Sequence, residues 1–132
     1  MSQTHAIRLL PGADLKQSIQ DFAAVQKIEA GWVLTCVGSL RTTSLRFANQ
    51  ADITRLNGYF EIVSLTGTIS ANGCHLHCCV SDETGNTTGG HLMEGSIVYT
   101  TAEIILGESK KHRFTREKDM ETGHNELLIA NK

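Results

Sequence analysis

The residues best equipped for chemistry crowd into one stretch, "CHLHCCVSDETGNTTGGH", from Cys74 to His91. It holds three of the chain's six histidines and three of its four cysteines. In an extended strand, successive side chains point to opposite faces. His75, His77 and Cys79 therefore share one face, and Cys74, Leu76 and Cys78 share the other. The second set reads as core, where free cysteine is among the most buried residue types. In the first set, imidazoles at i and i+2 stand about 7 Å apart at the backbone, close enough to converge on one cation. A third imidazole, His91, follows the glycine-rich "TGNTTGG", a segment able to fold the chain back over the strand. Three neutral nitrogens around one open position describe a zinc site that keeps a water. Cys79 is a candidate fourth ligand, or a small filler beside the site. The competing reading is a pair of solvated surface histidines, which the spacing alone does not remove.

Carboxylates that could serve such a site are few. Glu61 and Glu103 interrupt apolar runs ("YFEIVSL", "TTAEIIL"), and Glu94 follows His91 closely. Each could orient an imidazole from behind or act as a base. The plainer reading puts Glu61 and Glu103 on a solvent face, or against an arginine such as Arg8, Arg41 or Arg46. His5, His112 and His124 are scattered and read as surface. Ser39 lacks the Gly-x-Ser-x-Gly setting of a hydrolase nucleophile, so no residue is assigned a catalytic role. The His-x-His pair invites a cupin reading, but Glu83 lies six residues beyond His77 and no proline follows Pro11 to build the second cupin motif.

These residues need elements to hold them. "PGADL" reads as a turn into a helix, with Asp14 as N-cap and Gln17 placed to reach back to the first turn. Leu15, Ile19, Phe22 and Ala23 fall on one helical face, and Gly31 supplies a stop, predicting a helix over about 14–30. Almost everything after it reads as strand: "WVLTCVGSL", "TSLRFA", "YFEIVSLTGTIS", "HLHCCVS", "SIVYTTAEIIL", "HRFTRE" and "NELLIA". Gly, Asn and Asp clusters separate these runs. The expectation is an α+β domain, with an antiparallel or mixed curled sheet of about seven strands packed with one main helix. The 132 residues form one domain, with its core at about 8–128.

Bulk composition narrows the partners. Twelve Lys and Arg against fourteen Asp and Glu leave a net charge of −2, not the basic footprint of a stand-alone nucleic-acid binder. The basic run "KKHRFTREK" is followed at once by "DMETGHNE", and reads as a solvated strand face or a small phosphate-contacting patch. No apolar run approaches the roughly 20 residues needed to span a bilayer, and no secretory signal opens the chain. The expected compartment is the cytoplasm, where thiols stay reduced and four cysteines do not make a disulfide framework.

"RLLPGADL", "GWVLTCVGSLRTTSLRF", "GYFEIVSLTGTIS", "HLHCCVSDETGNTTGGHLMEGSIVYTTAEIIL" and "FTREKDMETGHNEL", in that order, resemble the PPC domain shared by plants and prokaryotes. "HLH…GGHL…G" is the most specific part of the match, and "GYFEIVSL" looks like that family's Gly-Arg-Phe-Glu-Ile-Leu core with Tyr59 in place of arginine. The resemblance implies a compact homotrimer in which His75, His77 and His91 hold a divalent metal, zinc or another. It also carries a DNA-binding label, because in plant proteins the domain is joined to AT-hooks. No Arg-Gly-Arg-Pro element occurs here, so the isolated domain lacks the arginine that enters an A·T minor groove. Three functions follow as expectations: a binding or regulatory module with possible DNA-associated or protein partners, a zinc-dependent enzyme acting through a metal-bound water on a small substrate, or a direct DNA binder.

Overall fold

Long β-branched runs broken by Asn-Gly and Gly-rich turns fold here into strands that pair almost wholly with antiparallel neighbours. The structure, a computed structural model, describes residues 2–132. In chain order the elements are β1 (Ser2–Leu9), α1 (Leu15–Val25), β2 (Ala30–Arg46), β3 (Ile53–Ser70), β4 (Gly73–Ser81), β5 (Thr87–Leu92), β6 (Ile97–Ser109), β7 (His112–Lys118) and β8 (Asn125–Asn131). Six strands form one antiparallel sheet in the order β1-β6-β2-β3-β4-β5, and β7-β8 form a separate hairpin. The end of β2 also pairs with β5, Leu45 with Leu92 and Arg46 with His91, so the sheet curls until β5 meets β2 again.

The expected seven strands become eight in two sheets. "WVLTCVGSL" and "TSLRFA" are one 17-residue strand, bent by irregular register around Leu40 and Thr42. Two strands went unread: β1, an exposed edge of weak alternation, and β5, whose "TTGGHL" looks like turn chemistry. With a single 11-residue helix against eight strands, the molecule is one domain of mostly antiparallel β structure, and α+β describes it only loosely.

The helix is also shorter than the predicted 14–30. Asp14 caps it as expected, its Oδ1 accepting from the Gln17 backbone N–H at 3.0 Å. The Gln17 side chain turns forward to Asp21 at 2.9 Å instead of back to the cap. The stop comes at Lys27, not Gly31: Lys27 takes a left-handed φ of 55°, and Ile28 N–H returns to the Ala23 carbonyl at 2.9 Å. That six-to-one bond is the Schellman closure, here made without glycine. It drops Ile28 into the core, 3% exposed, beside Ala23. Gly31 is thereby freed to enter β2, which begins at Ala30, opposite Ile69 and Glu108.

Leu15 and Ile19 of α1 seal the curled sheet, packing with Leu40, Leu45, Leu76, Leu92, Ile104 and Leu106, all without exposed surface. Burying each such side chain stabilises the fold by about 1.5–3 kcal/mol against leaving it in water. The β7-β8 hairpin is tied on by polar bonds. Asn72 in the β3-β4 turn accepts from Arg116 N–H at 2.7 Å and donates to its carbonyl at 2.9 Å, while Arg113 pairs with Glu29 at 2.8 Å. Among the described residues, no helix is long and apolar enough to cross a membrane.

Candidate metal centre

The three histidines meet because two strands cross-pair at the right register. His77 on β4 lies directly opposite His91 on β5, and His75 is two residues up β4 on the same face. The loop from Asp82 to Asn86 turns the chain, with Asp82 Oδ1 accepting from Thr84 and Asn86 backbone N–H groups at 2.9 and 3.0 Å. Two glycines let the backbones close up. A Cβ at Gly90 would stand 2.9 Å from the Arg46 carbonyl, and one at Gly67 only 2.0 Å from the His75 carbonyl, at a φ of +153°. The strand parity holds: Leu76, Cys78 and Val80 face the core, at most 2% exposed, while His75 and His91 are half-buried and His77 is exposed.

The ring centroids stand 4.9 Å (His75–His77), 4.8 Å (His75–His91) and 5.6 Å (His77–His91) apart. One ligand nitrogen from each lies within 4.8 Å of the others. Three nitrogens on one tetrahedral zinc at about 2.0–2.1 Å stand roughly 3.4 Å apart, so small side-chain rotations bring the set onto a single ion. Among the described residues, none of the three rings is engaged in a hydrogen bond with another side chain. Two of the three imidazoles are also biased toward their neutral form. Burial lowers the His91 pKa to about 4, with the neighbouring His75 and the Arg46 guanidinium adding to the effect. Burial, then the Arg116 charge and His77, lower His75 as well. Neutral imidazole is the metal-binding form.

The other predicted site residues are placed apart from this cluster. Cys79 shares the histidine face but does not join the group of converging ligand atoms, and it packs against Gly89. Glu94 turns to Lys16 at 3.6 Å. Glu61 and Glu103 are exposed; Glu61 borders a hollow with Tyr59, Tyr99 and Asp82, and Glu103 lies across the backbone ladder from Arg8 and Val37. Burial pushes the thiols of Cys36 and Cys74 up to about 11 and that of Cys78 to about 12, so these three are packing groups without thiolate character. His5, read as surface, has a side chain only 10% exposed, bonded at 2.8 Å to the buried Glu108.

Sequence reasoning missed two arginines. A cavity of about 370 Å³ opens between the large sheet and the β7-β8 hairpin, with Arg46, His75 and His91 on one side and Arg116, His124 and Glu126 on the other. Both arginines reach it through long-range pairing that no local pattern encodes. A larger cavity, about 650 Å³, lies between α1 and the β3-β4 turn and is lined by none of the three histidines.

Residues 1–110 match the Plants and Prokaryotes Conserved (PCC) domain. A Synechococcus sp. protein described as bifunctional protein GlmU is 46% identical over 127 residues, which are 96% of this chain and 20% of that protein. The chain thus spans about a fifth of the length of that curated relative. A solved Salmonella enterica protein, described as hypothetical, is 39% identical with a TM-score of 0.98, covering 100% of this chain and 96% of its own. A metal-containing protein of Archaeoglobus fulgidus is 25% identical with a TM-score of 0.85, covering 96% and 93%.

Proposed function

The chain belongs to the Plants and Prokaryotes Conserved domain family, and on that premise we propose a homotrimeric binding or regulatory module built around a three-histidine site for a divalent metal. The observation that carries this reading is the convergence of His75, His77 and His91, with two of the three held below their usual pKa. Three imidazoles, with no thiolate or carboxylate among the converging atoms, suit zinc better than a hard ion such as magnesium or calcium. The metal-containing Archaeoglobus relative supports the same reading. When bound, a divalent ion in this setting supplies Lewis acidity to whatever ligand takes its remaining position. The chain's own residues would do the rest: His75, His77 and His91 would hold the ion, and the hairpin walls one side of the adjoining cavity.

A binding role is favoured over catalysis by the surrounding carboxylates. Glu94 is turned to Lys16, and Glu126 accepts from Thr122 at 3.1 Å, so neither hydrogen-bonds an imidazole. Direct DNA binding is disfavoured by the spending of the basic run on internal contacts: Lys110 bonds Glu108, Arg113 bonds Glu29 and Arg116 bonds Thr68. The trimer is supported by large apolar side chains left exposed on the central strands, among them Val37, Tyr59 and Val63 at 54–57%.

Metal analysis of protein purified without an affinity tag tests the site. Wild type is expected to carry about one zinc per chain, and His75→Ala and His91→Ala to carry almost none. Equal metal in all three would contradict the assignment.

A further inference from the structure

The geometry points to an acidic small molecule as the ligand of this centre, its carboxylate or phosphate received between Arg46 and Arg116. This deepens the metal reading above and rests on it. Arg46 stands at the end of β2, directly across from His91, and among the described residues only one of its guanidinium nitrogens is engaged, Nη1 donating to the Gln50 carbonyl at 3.2 Å. Arg116 enters from β7 on the opposite wall. Its Nη2 donates to Thr68 Oγ1 at 2.9 Å and its Nη1 reaches the Asn125 carbonyl at 3.5 Å, but its Nε is buried with no partner among the described residues. A buried donor left unpaired is destabilising, and native structures rarely tolerate one without a reason. Arg116 lines the cleft beside His75 and His91, so an oxyanion lying there would meet its guanidinium.

Charge makes the same demand. Two guanidiniums, Arg46 and Arg116, line the same cavity as the half-buried His75 and His91. Lys16, 8% exposed, lies close by but is paired with Glu94 at 3.6 Å, which leaves the two guanidiniums as the cleft's own positive charge. Against these stands one carboxylate at the rim, Glu126, which accepts from Thr122 at 3.1 Å. A divalent ion on the histidines would add two more positive charges to the same cleft. An anion that bridges metal and guanidinium resolves the repulsion, and the planar arginine fork matches carboxylate and phosphate oxygens. The volume of about 370 Å³ sits at the small end of ligand pockets, enough for a compact metabolite.

Isothermal titration of the zinc-loaded full chain with inorganic phosphate, and separately with succinate, distinguishes the two acid classes. Binding of at least one probe to wild type is expected, weakened about ten- to hundredfold in Arg46→Gln and in Arg116→Gln, as loss of a charge-assisted hydrogen bond implies. Zinc content, measured on the same samples, is expected to match wild type. Arg116→Lys keeps the charge without the fork, and should recover only part of the affinity. Failure of both probes to bind, or equal affinity across wild type and arginine variants at full zinc content, overturns the proposal while leaving the metal site standing. If every preparation lacks zinc, the metal reading fails. The same titrations on the metal-free chain then judge the arginine pair alone: weakened binding in the variants supports it, and equal binding overturns it.

Discussion

Proton affinity and metal affinity compete for the same nitrogen lone pairs, and at His91 the fold has already decided against the proton. Its pKa is pushed down to about 4 from an ordinary 6.5, by burial first and then by His75 and Arg46, and His75 moves in the same direction. In the unfolded chain both titrate near 6.5. Between that pH and about 4 the unfolded state binds more protons, so stability rises with pH across the window and is lost on acidification. Metal-free protein should therefore show a melting temperature that is flat above pH 7 and falls from pH 6.5 toward 4. His91→Gln should flatten that fall, and thermal melts with an unchanged slope would contradict the assignment. At this scale the histidines were legible, because period-two alternation and a glycine turn are local signals. Arg46 and Arg116 were not, since one is placed by the β2-β5 closure and the other by the docking of a hairpin through Asn72.

Strand pairing has to bring β3 and β4 into close contact for His75 to point where it does. Gly67 makes this possible, opposite Leu76 and almost against the His75 carbonyl. Gly67→Ala forces that segment of β4 aside. A loss of about 2 kcal/mol or more is expected from the backbone clash, together with poorer zinc retention because His75 moves with the strand. Gly85→Ala is the comparison: nothing lies within 4 Å of a Cβ there, so only the left-handed backbone penalty of about 1–2 kcal/mol applies and zinc should be kept. Thermal melts with metal analysis separate the two, and full zinc retention in Gly67→Ala would show that the close approach does not position the ligand. The helix start was legible from Asp14, whereas its end was hidden because Lys27 took a conformation that sequence rules reserve for glycine or asparagine. β5 was hidden for the opposite reason: its glycines serve close packing inside a strand, yet they read as a turn.

Across the whole molecule, the curled sheet buries one face under α1 and leaves the other partly apolar. Leu34, Val37, Tyr59, Val63 and Tyr99 stand 44–57% exposed, with the two tyrosines in edge contact at 5.0 Å. Large exposed apolar groups gathered on neighbouring strands mark an association surface. Light scattering coupled to size exclusion should give three times the 14.4 kDa chain mass, and Val63→Lys should shift the population to smaller species. A wild-type mass of one chain would contradict the trimer. Strands and turns announce themselves locally, but which face meets another copy depends on the whole sheet, and only the family resemblance gave the oligomer any footing in the sequence.

X-ray absorption at the zinc edge on the untagged protein tests the central claim most directly. Three imidazole nitrogens at about 2.0–2.1 Å and one further light atom are predicted. A sulfur at about 2.3 Å would bring in a cysteine such as Cys79, close the open position and contradict the account.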